Sequence, residues 1–159
     1  MFSDLKTPSP ITTLTTPTWA AGYKIKMKRD DLIHPIISGN KARKLDLLLN
    51  ELSENQAKKI LTMGGNHSNF LHALAYACQR MNIQLSCYIR GAKPKQYGAT
   101  LLDLARWQAD LKFVSKEQYR RLREDPQHSL VLAEEVNARW LPEGGSDADA
   151  VHGIMKAID

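Results

Sequence analysis

The chain has 159 residues, of which 43% are hydrophobic and 25% charged, a composition typical of a globular protein of one domain. Its net charge of +5 is spread along the sequence, and the densest basic cluster, Arg120-Arg121-Leu122-Arg123, is followed at once by Glu124 and Asp125. This pattern argues against a nucleic-acid partner. The surplus of positive charge suits an anionic small molecule. No apolar run approaches the roughly 20 residues that cross a bilayer, and the first residues hold no signal core, so we expect no membrane partner and a cytoplasmic location.

The first 40 residues predict an arm, a strand and a loop. The stretch through Thr18 is rich in Thr, Ser and Pro, which favours an extended arm that packs on another surface. Residues 23–28 alternate strictly between apolar and polar side chains, as a half-buried strand does. Residues 29–40 then form a polar connection that contains Pro35.

From Lys41 onward, helical periodicity alternates with short apolar runs. Helical stretches are predicted over residues 41–54, 68–81, 99–107, 116–137 and 150–158, and strands over residues 59–63, 84–89, 111–114 and 139–142. This alternation predicts an α/β fold, an open parallel sheet with helices on both faces. Because ligands bind beyond the carboxyl ends of the strands in such sheets, the Gly-rich turns after Met63 and Leu141 are candidate ligand loops.

The turn Gly64-Gly65-Asn66-His67-Ser68-Asn69 joins a predicted strand to a predicted helix. Its two glycines let the chain reverse sharply, and the free N–H groups at the helix start, together with the helix dipole, favour a carboxylate or phosphate. Ser68 and Asn69 stand at the mouth of this predicted anion site. The alternative is that both residues only cap the helix. The turn by itself leaves both interpretations open, an anion site or a helix cap.

A second turn, Ser38-Gly39-Asn40, precedes a helix that carries Lys41 and Lys44 on the same side as its leucines. Cations in the first turn of a helix oppose its dipole, so this placement costs stability and hints at function. An amine that is desolvated and close to another cation has a lowered pKa, and the neutral amine is the form that attacks an aldehyde. The alternative, in which both side chains reach water from an ordinary amphipathic helix, stays open.

Neither the cysteines nor the histidines predict a metal site. Cys78 and Cys87 form no C-x-x-C motif, and we expect two buried free thiols. His67 and His72 are five residues apart, a poor helical spacing for a shared metal, so we expect them at the rim of a site or on the surface. The sequence therefore predicts no bound metal.

Three motifs, in this order, resemble those of one enzyme family. They are K-R-D-D-x-x-x-P-x-x-S-G-N-K-x-R-K-L at residues 28–45, G-G-x-x-S-N at residues 64–69 and L-P-x-G-G-S at residues 141–146. In order and separation they are similar to the fold-type II pyridoxal phosphate enzymes of the 1-aminocyclopropane-1-carboxylate deaminase and D-cysteine desulfhydrase family. The resemblance runs from about residue 23 to the end of the chain and corresponds to the N-terminal half of the family's proteins.

The resemblance implies a site for pyridoxal 5'-phosphate. Lys41 would bind the cofactor as a Schiff base and later move protons at the substrate carbon. Lys44 would contact the cofactor phosphate. Asn69 would hydrogen-bond the phenolic oxygen of the cofactor, and Asn40, beside the lysine, would complete the cofactor site. Lys41 and Ser68 are the catalytic residues that the resemblance implies.

The substrate that the resemblance implies is a small amino acid. Ser68 would meet the substrate's amine or carboxylate, and the backbone N–H groups of Asn66, His67, Ser68 and Asn69 would hold its carboxylate. The reaction would release ammonia and a 2-oxo acid, plus sulfide if the substrate is D-cysteine, with the cofactor as electron sink. Family members commonly carry His or Gln after the S-N pair, where this chain has Phe70, so the choice of substrate stays open.

Proteins of the family are about twice as long as this chain, as two-domain proteins are. The resemblance therefore implies that residues 1–40 belong to the family's larger domain, that residues 41–159 form its small α/β domain, and that the C-terminal half is absent. The chain would then be a half-enzyme that binds the cofactor weakly, or it would form a homodimer or pair with a separate C-terminal half. The competing class is a non-catalytic α/β domain that binds a small anion or a partner.

Overall fold

The computed structural model describes residues 4–54, 58–146 and 148–155. Its strands are β1 Ile11–Thr13, β2 Lys26–Lys28, β3 Lys59–Gly64, β4 Gln84–Arg90, β5 Asp110–Val114 and β6 Arg139–Leu141. Its helices are α1 Asn40–Glu54, α2 Asn69–Arg80, α3 Ala99–Arg106, α4 Lys116–Glu124, α5 Pro126–Glu134 and α6 Ala148–Met155. Short 3-10 turns occupy Thr18–Ala20, Asp30–Leu32 and Glu143–Gly145. Within the described ranges, no helix combines the length and apolar character needed to span a membrane.

Four parallel strands form the central sheet, in the order β5-β4-β3-β6. The chain adds β4 and β5 on one side of β3 and then returns to place β6 on the other side. The direction of the connections therefore reverses between β3 and β6. In open sheets of this kind, the crevice beyond the carboxyl ends of two such strands is where a ligand binds.

Helices cover both faces of the sheet. On one face α1, α2 and α3 pack over the strands through a core that includes Leu45, Leu74 and Leu104. On the other face Tyr119 and Leu122 of α4 form a second, smaller cluster against the sheet. The predicted α/β fold, an open parallel sheet with helices on both faces, is confirmed.

The helical stretches predicted over residues 116–137 are two separate helices. α4 ends at Glu124 and α5 begins at Pro126. Pro126 has no N–H for a helical hydrogen bond, so it cannot continue α4, but it suits the first position of a new helix. Asp125 caps that helix, because its side chain accepts the backbone N–H of His128 at 3.0 Å.

Two predicted elements differ in extent from those observed. The half-buried strand predicted over residues 23–28 is present only at Lys26–Lys28, and all three residues are exposed. Its alternating pattern does not lead to burial, because β2 pairs with β1 in a separate two-stranded sheet and not with the central sheet. The helix predicted over residues 150–158 begins earlier, at Ala148, and is described as far as Met155, so residues 156–158 lie outside the described residues.

The N-terminal arm packs back on the chain. Asp4 accepts a hydrogen bond from Nη1 of Arg80 in α2 at 2.8 Å. Further along the arm, the buried Ser9 donates a hydrogen bond from Oγ to Oδ1 of Asp30 at 2.5 Å. The assignment of residues 1–40 to a larger domain stays a prediction.

Asp30 joins the arm to α1, because its carboxylate also accepts hydrogen bonds from Nη2 and Nε of Arg43 at 3.0 and 3.1 Å. The bonds from Arg43 lower the pKa of Asp30 below its ordinary value of 3.8, and the bond from Ser9 adds to this effect. A carboxyl group with a lowered pKa stabilises the folded state above its ordinary pKa, and the contribution is lost as the pH falls through the lower, folded value.

Asp30→Asn is expected to lower the free energy of unfolding at pH 7 by about 1–3 kcal/mol, since it removes the charge from a largely buried pair. The deficit relative to wild type should shrink as the pH falls below about 4, because Asp30 of the unfolded wild-type chain then takes up a proton more readily than the folded carboxyl group does. Urea unfolding at pH 7 and pH 3 measures both effects. Asp31→Asn, which removes the exposed pair with Arg29, is the matched control and should lower the free energy of unfolding by less. Equal losses for the two variants would contradict this account.

The two cysteines are buried free thiols, as predicted. Burial raises the pKa of Cys78 to about 12, and burial is also the main cause of the raised pKa of Cys87. Both thiols therefore stay protonated at neutral pH and act as small core side chains.

Candidate active site

A groove opens where the turn after β3 meets the turn after β6. Its lining consists of Lys41 from α1, residues 65–70 from the first turn and the start of α2, and Glu143 and Gly144 from the second turn. The groove has a volume of about 540 Å³ and is open to solvent. It lies at the reversal of strand order, the position expected for a ligand in this class of sheet.

Lys41 lies in the first turn of α1, and its side chain is half-buried. Its ammonium group donates a hydrogen bond to the side-chain oxygen of Asn40. Burial lowers the pKa of Lys41, and the positive charge of Lys44 lowers it further. At a given pH, a larger fraction of this amine is therefore neutral and nucleophilic than of a fully exposed lysine.

A second cavity shares residues with the groove. It has a volume of about 380 Å³, and its lining includes Asn40, Lys41, Asn69 and His72. Lys41 and Asn69 line both spaces. The structure therefore brings together the amine and the two amides that the family resemblance implies around a cofactor. A ligand in either space would contact Lys41 and Asn69.

Lys44 lies one helical turn after Lys41, and its ammonium group donates a hydrogen bond to the carbonyl oxygen of Gly144 at 2.9 Å. The structure therefore connects this lysine to the turn after β6. An ammonium group has three N–H donors, so one bond to Gly144 leaves donors for an anion. The phosphate contact predicted for Lys44 stays a prediction.

Packing and hydrogen bonding fix the turn after β6. Gly144 and Gly145 have φ values of 68° and 61°, in the left-handed region that favours glycine. A Cβ atom at Gly145 would lie 2.4 Å from the ring of Phe70. Tyr119 donates a hydrogen bond to Oε1 of Glu143 at 2.6 Å. The L-P-x-G-G-S motif predicts a ligand loop here, but no signal in the sequence pairs it with Phe70 or Tyr119.

The start of α2 presents polar groups to the groove. Oγ of Ser68 caps the helix by accepting the backbone N–H of Leu71 at 3.2 Å. The N–H groups of Asn69 and Phe70 precede the first helical hydrogen bond and suit an anion. The side-chain oxygen of Asn66 is buried and has no hydrogen-bond partner among the described residues. Because an unpaired buried polar atom costs free energy, the groove fits a ligand that hydrogen-bonds there.

The two histidines have different surroundings. His67 is exposed and lines the groove. His72 is half-buried, with Nε2 at 3.1 Å from Oδ2 of Asp103 and its ring in an edge contact with Trp107. In the part of the chain that the structure describes, no three His, Cys, Asp or Glu side chains are grouped to hold a metal ion.

Lys44→Met is expected to raise the pKa of Lys41, because it removes a positive charge that disfavours protonation of the neighbouring amine. Modification of Lys41 by an amine-selective reagent, followed by peptide mapping, should then require a higher pH than in wild type. Lys44→Arg keeps the charge and is the matched control, so its pH profile should stay close to that of wild type. An unchanged profile in Lys44→Met would show that the two charges do not interact.

The comparisons with known proteins agree with the motifs. No protein-family model matches the chain. A putative 1-aminocyclopropane-1-carboxylate deaminase of Thermotoga maritima is 33% identical over 153 residues, which cover 95% of this chain and 49% of the relative. The chain is related to the 1-aminocyclopropane-1-carboxylate deaminase and D-cysteine desulfhydrase family.

A second relative in this family is the mitochondrial bifunctional D-cysteine desulfhydrase/1-aminocyclopropane-1-carboxylate deaminase of Arabidopsis thaliana. It is 29% identical over 166 residues, which cover 98% of this chain and 41% of the relative. The chain thus spans about half the length of the curated relatives it matches.

Solved structures share the fold. A homologue of 1-aminocyclopropane-1-carboxylate deaminase has a TM-score of 0.76 at 25% identity, covering 98% of this chain and 48% of its own. A pyridoxal 5'-phosphate-dependent aspartate racemase has a TM-score of 0.64 at 19% identity, covering 94% of this chain and 44% of its own. The second likeness supports the fold alone, and the first agrees with the family found by sequence.

Proposed function

We propose that this chain carries the cofactor-binding lysine of a pyridoxal phosphate-dependent deaminase or desulfhydrase. Its substrate would be a small amino acid, 1-aminocyclopropane-1-carboxylate or D-cysteine, and its products ammonia and a 2-oxo acid. The observation that carries the proposal is the position of Lys41, an amine of lowered pKa that shares a groove with the start of α2. The names of the two curated relatives support this class of reaction.

The residues around Lys41 fit pyridoxal phosphate. Lys41 offers a nucleophilic amine to the aldehyde, Lys44 offers an ammonium group to the phosphate, and Asn40 and Asn69 offer amides to the ring substituents. The unpaired oxygen of Asn66 adds an acceptor inside the groove. When bound, the cofactor supplies the electron sink that weakens bonds to the α-carbon of an amino acid.

The start of α2 would hold the substrate. Its carboxylate would accept hydrogen bonds from the backbone N–H groups of Asn66, His67 and Asn69, with support from the helix dipole. The N–H of Ser68, to which the family resemblance also assigns this role, already donates to the carbonyl oxygen of Gly65 at 3.1 Å. The Ser68 hydroxyl would orient the substrate amine or carboxylate. Lys41 would move the proton at the α-carbon, because it is the one amine in the lining of the groove.

The proposal is tested by incubating the purified chain with pyridoxal phosphate, reducing the mixture with borohydride and mapping the labelled peptides. We expect the label mainly on Lys41, because the exposed lysines lack the groove that holds the rest of the cofactor. A label spread evenly over the surface lysines would show that the chain has no specific cofactor site.

Turnover is tested separately, by measuring ammonia release from both candidate substrates and sulfide release from D-cysteine. Ser68→Gly removes the hydroxyl while costing the α2 cap only a few tenths of a kcal/mol, whereas Ser68→Ala costs about 1 kcal/mol of helix stability. If Ser68 contacts the substrate, both variants should lose turnover alike. Specific labelling of Lys41 without turnover would support a half-site that needs further polypeptide.

A second candidate is a non-catalytic domain that binds a small anion or a partner. The open groove and the N–H groups of Asn69 and Phe70 at the start of α2 favour it, because both suit a small anion. This candidate predicts that phosphate or a carboxylate binds at the start of α2 while pyridoxal phosphate labels Lys41 no faster than other lysines. The labelling experiment therefore separates the two functions.

Three further expectations stay predictions. The cytoplasmic location is one, and the name of the Arabidopsis relative places that protein in mitochondria. The second is the assembly of the chain, as a homodimer or with a separate C-terminal half. The third is the division into residues 1–40 and 41–159.

A further inference from the structure

A buried histidine fixes the loop that leads into α1. We call residues 34–39 the His34 loop. His34 itself is buried, and its Nδ1 atom accepts the backbone N–H groups of Ile36 and Ile37, each at 3.0 Å. One side-chain atom therefore satisfies two backbone donors of a short connection. Without this acceptor the loop would lose both hydrogen bonds at once.

These two hydrogen bonds define the protonation state of the ring. A ring nitrogen that accepts hydrogen bonds carries no proton, so the neutral ring of His34 has its proton on Nε2. Nε2 lies 3.4 Å from Oδ2 of Asp4 in the N-terminal arm. From α2, Tyr76 stacks at 5.4 Å between ring centroids, and Arg80 binds the same Asp4. A second proton on the ring can go only to Nδ1, where it would remove both bonds to the loop.

The His34 loop reaches the candidate site in two ways. Pro35 and Ile36 line the cavity of about 380 Å³ that Lys41 also lines. Further along the loop, the carbonyl oxygen of Ser38 accepts the backbone N–H of Lys41 at 3.2 Å. Burial is the main cause of the lowered pKa of Lys41, so a loop that moved away would let water reach the amine.

The choice of histidine at this position is not needed for the hydrogen bonds alone. The side-chain oxygen of an asparagine would occupy nearly the place of Nδ1, and asparagine commonly accepts the backbone N–H two residues on. An imidazole differs from an amide because it loses its acceptor when it takes up a proton. His34 therefore makes a structural contact of the loop depend on protonation.

We propose that His34 is a positioning residue for Lys41: the neutral ring holds the His34 loop beside the amine, and protonation at Nδ1 releases it. Release exposes the amine to water, which favours its charged, unreactive form. The site then loses reactivity in acid by more than the protonation of Lys41 alone. The proposal concerns the amine itself, and its bearing on catalysis rests on the proposed function of Lys41.

The first test follows the His34 ring and the backbone N–H groups of Ile36 and Ile37 by NMR between about pH 5 and pH 8. As the ring takes up a proton, the hydrogen-exchange protection of both N–H groups should fall at least about tenfold. His34→Asn keeps an acceptor that does not titrate, so its protection should stay high throughout. A ring that titrates while protection stays constant overturns the proposal, as does a ring that takes up no proton before the chain unfolds.

The second test measures acetylation of Lys41 by acetic anhydride as a function of pH, with peptide mapping. His34→Gln places its amide one methylene further out, beyond the position of Nδ1, and should move the midpoint for Lys41 upward by about 0.5–1 pH unit. His34→Asn should match wild type, as should His128→Gln, which changes a histidine of α5. The midpoint reports the state of the amine, whereas a change in access alone alters only the amplitude.

Equal midpoints in wild type and His34→Gln would overturn the proposal. The same holds if His34→Asn behaves like His34→Gln, because the contact of the ring with Tyr76 would then matter and not the acceptor. The titration of the wild type needs no variant, so the first test decides the proposal even if His34→Gln does not fold. Neither test uses pyridoxal phosphate, so a failure here is independent of the labelling of Lys41 by the cofactor.

Discussion

Replacing Lys41 with alanine is expected to abolish borohydride-stable attachment of pyridoxal phosphate at this position. Total labelling of the chain should fall at least about tenfold, to the background given by the exposed lysines. The reason is that Lys41 combines a lowered pKa with a place in both the groove and the adjoining cavity. Mass spectrometry of the reduced, digested protein gives the label at each lysine.

Lys41→Arg is the matched variant, since it keeps a cation at the start of α1 but cannot supply a neutral amine. It should be as unreactive as Lys41→Ala. Lys95→Ala, which changes an exposed lysine, should label like wild type. Undiminished total labelling of Lys41→Ala would contradict the cofactor assignment for this chain.

The second large effect is expected at Gly153 of α6, where a side chain would collide with α1. A Cβ atom built on Gly153 lies 2.0 Å from the backbone carbonyl oxygen of Arg43. Gly153→Ala gains about 1 kcal/mol of helix propensity, whereas overpacking costs about 1–3 kcal/mol. The collision should outweigh the gain, because a backbone atom cannot move aside as the end of a side chain does. We therefore expect a net loss in the free energy of unfolding, and a larger loss for Gly153→Val.

Urea unfolding followed by circular dichroism measures these losses. Gly65→Ala is the control, because a Cβ atom there meets no atom within 4 Å and its φ is outside the left-handed region. It should change stability by no more than a few tenths of a kcal/mol. A Gly153→Ala variant that is more stable than wild type would show that α6 does not pack on α1 as described.

Local signals in the sequence account for most of the central sheet and its helices. The periodicity from Lys41 predicts α1 to within one residue, and the Gly-Gly turn correctly marks the boundary between β3 and α2. Both signals succeed because the apolar side chains they record are buried in this chain's own core. The alternation at residues 23–28 is misleading because nothing in the described chain covers that strand.

The walls of the groove depend on contacts that local signals cannot show. Tyr119 reaches Glu143 from another helix, and Phe70 fills the space that the missing side chain of Gly145 leaves. Both contacts depend on how α2 and α4 pack against opposite faces of the sheet. Spacing within a motif therefore finds the ligand loops, but only the assembled fold defines their shape.

The hydrogen bond from Lys44 to Gly144 connects residues that are 100 positions apart in the chain. During synthesis, Lys41 therefore emerges long before the turn that completes its groove. A partly folded intermediate that lacks β6 would hold the reactive lysine without the groove. The groove is therefore complete only when the whole domain has folded. Because a ligand of the finished groove would bind only the folded state, it would raise the midpoint of thermal unfolding as its concentration rises.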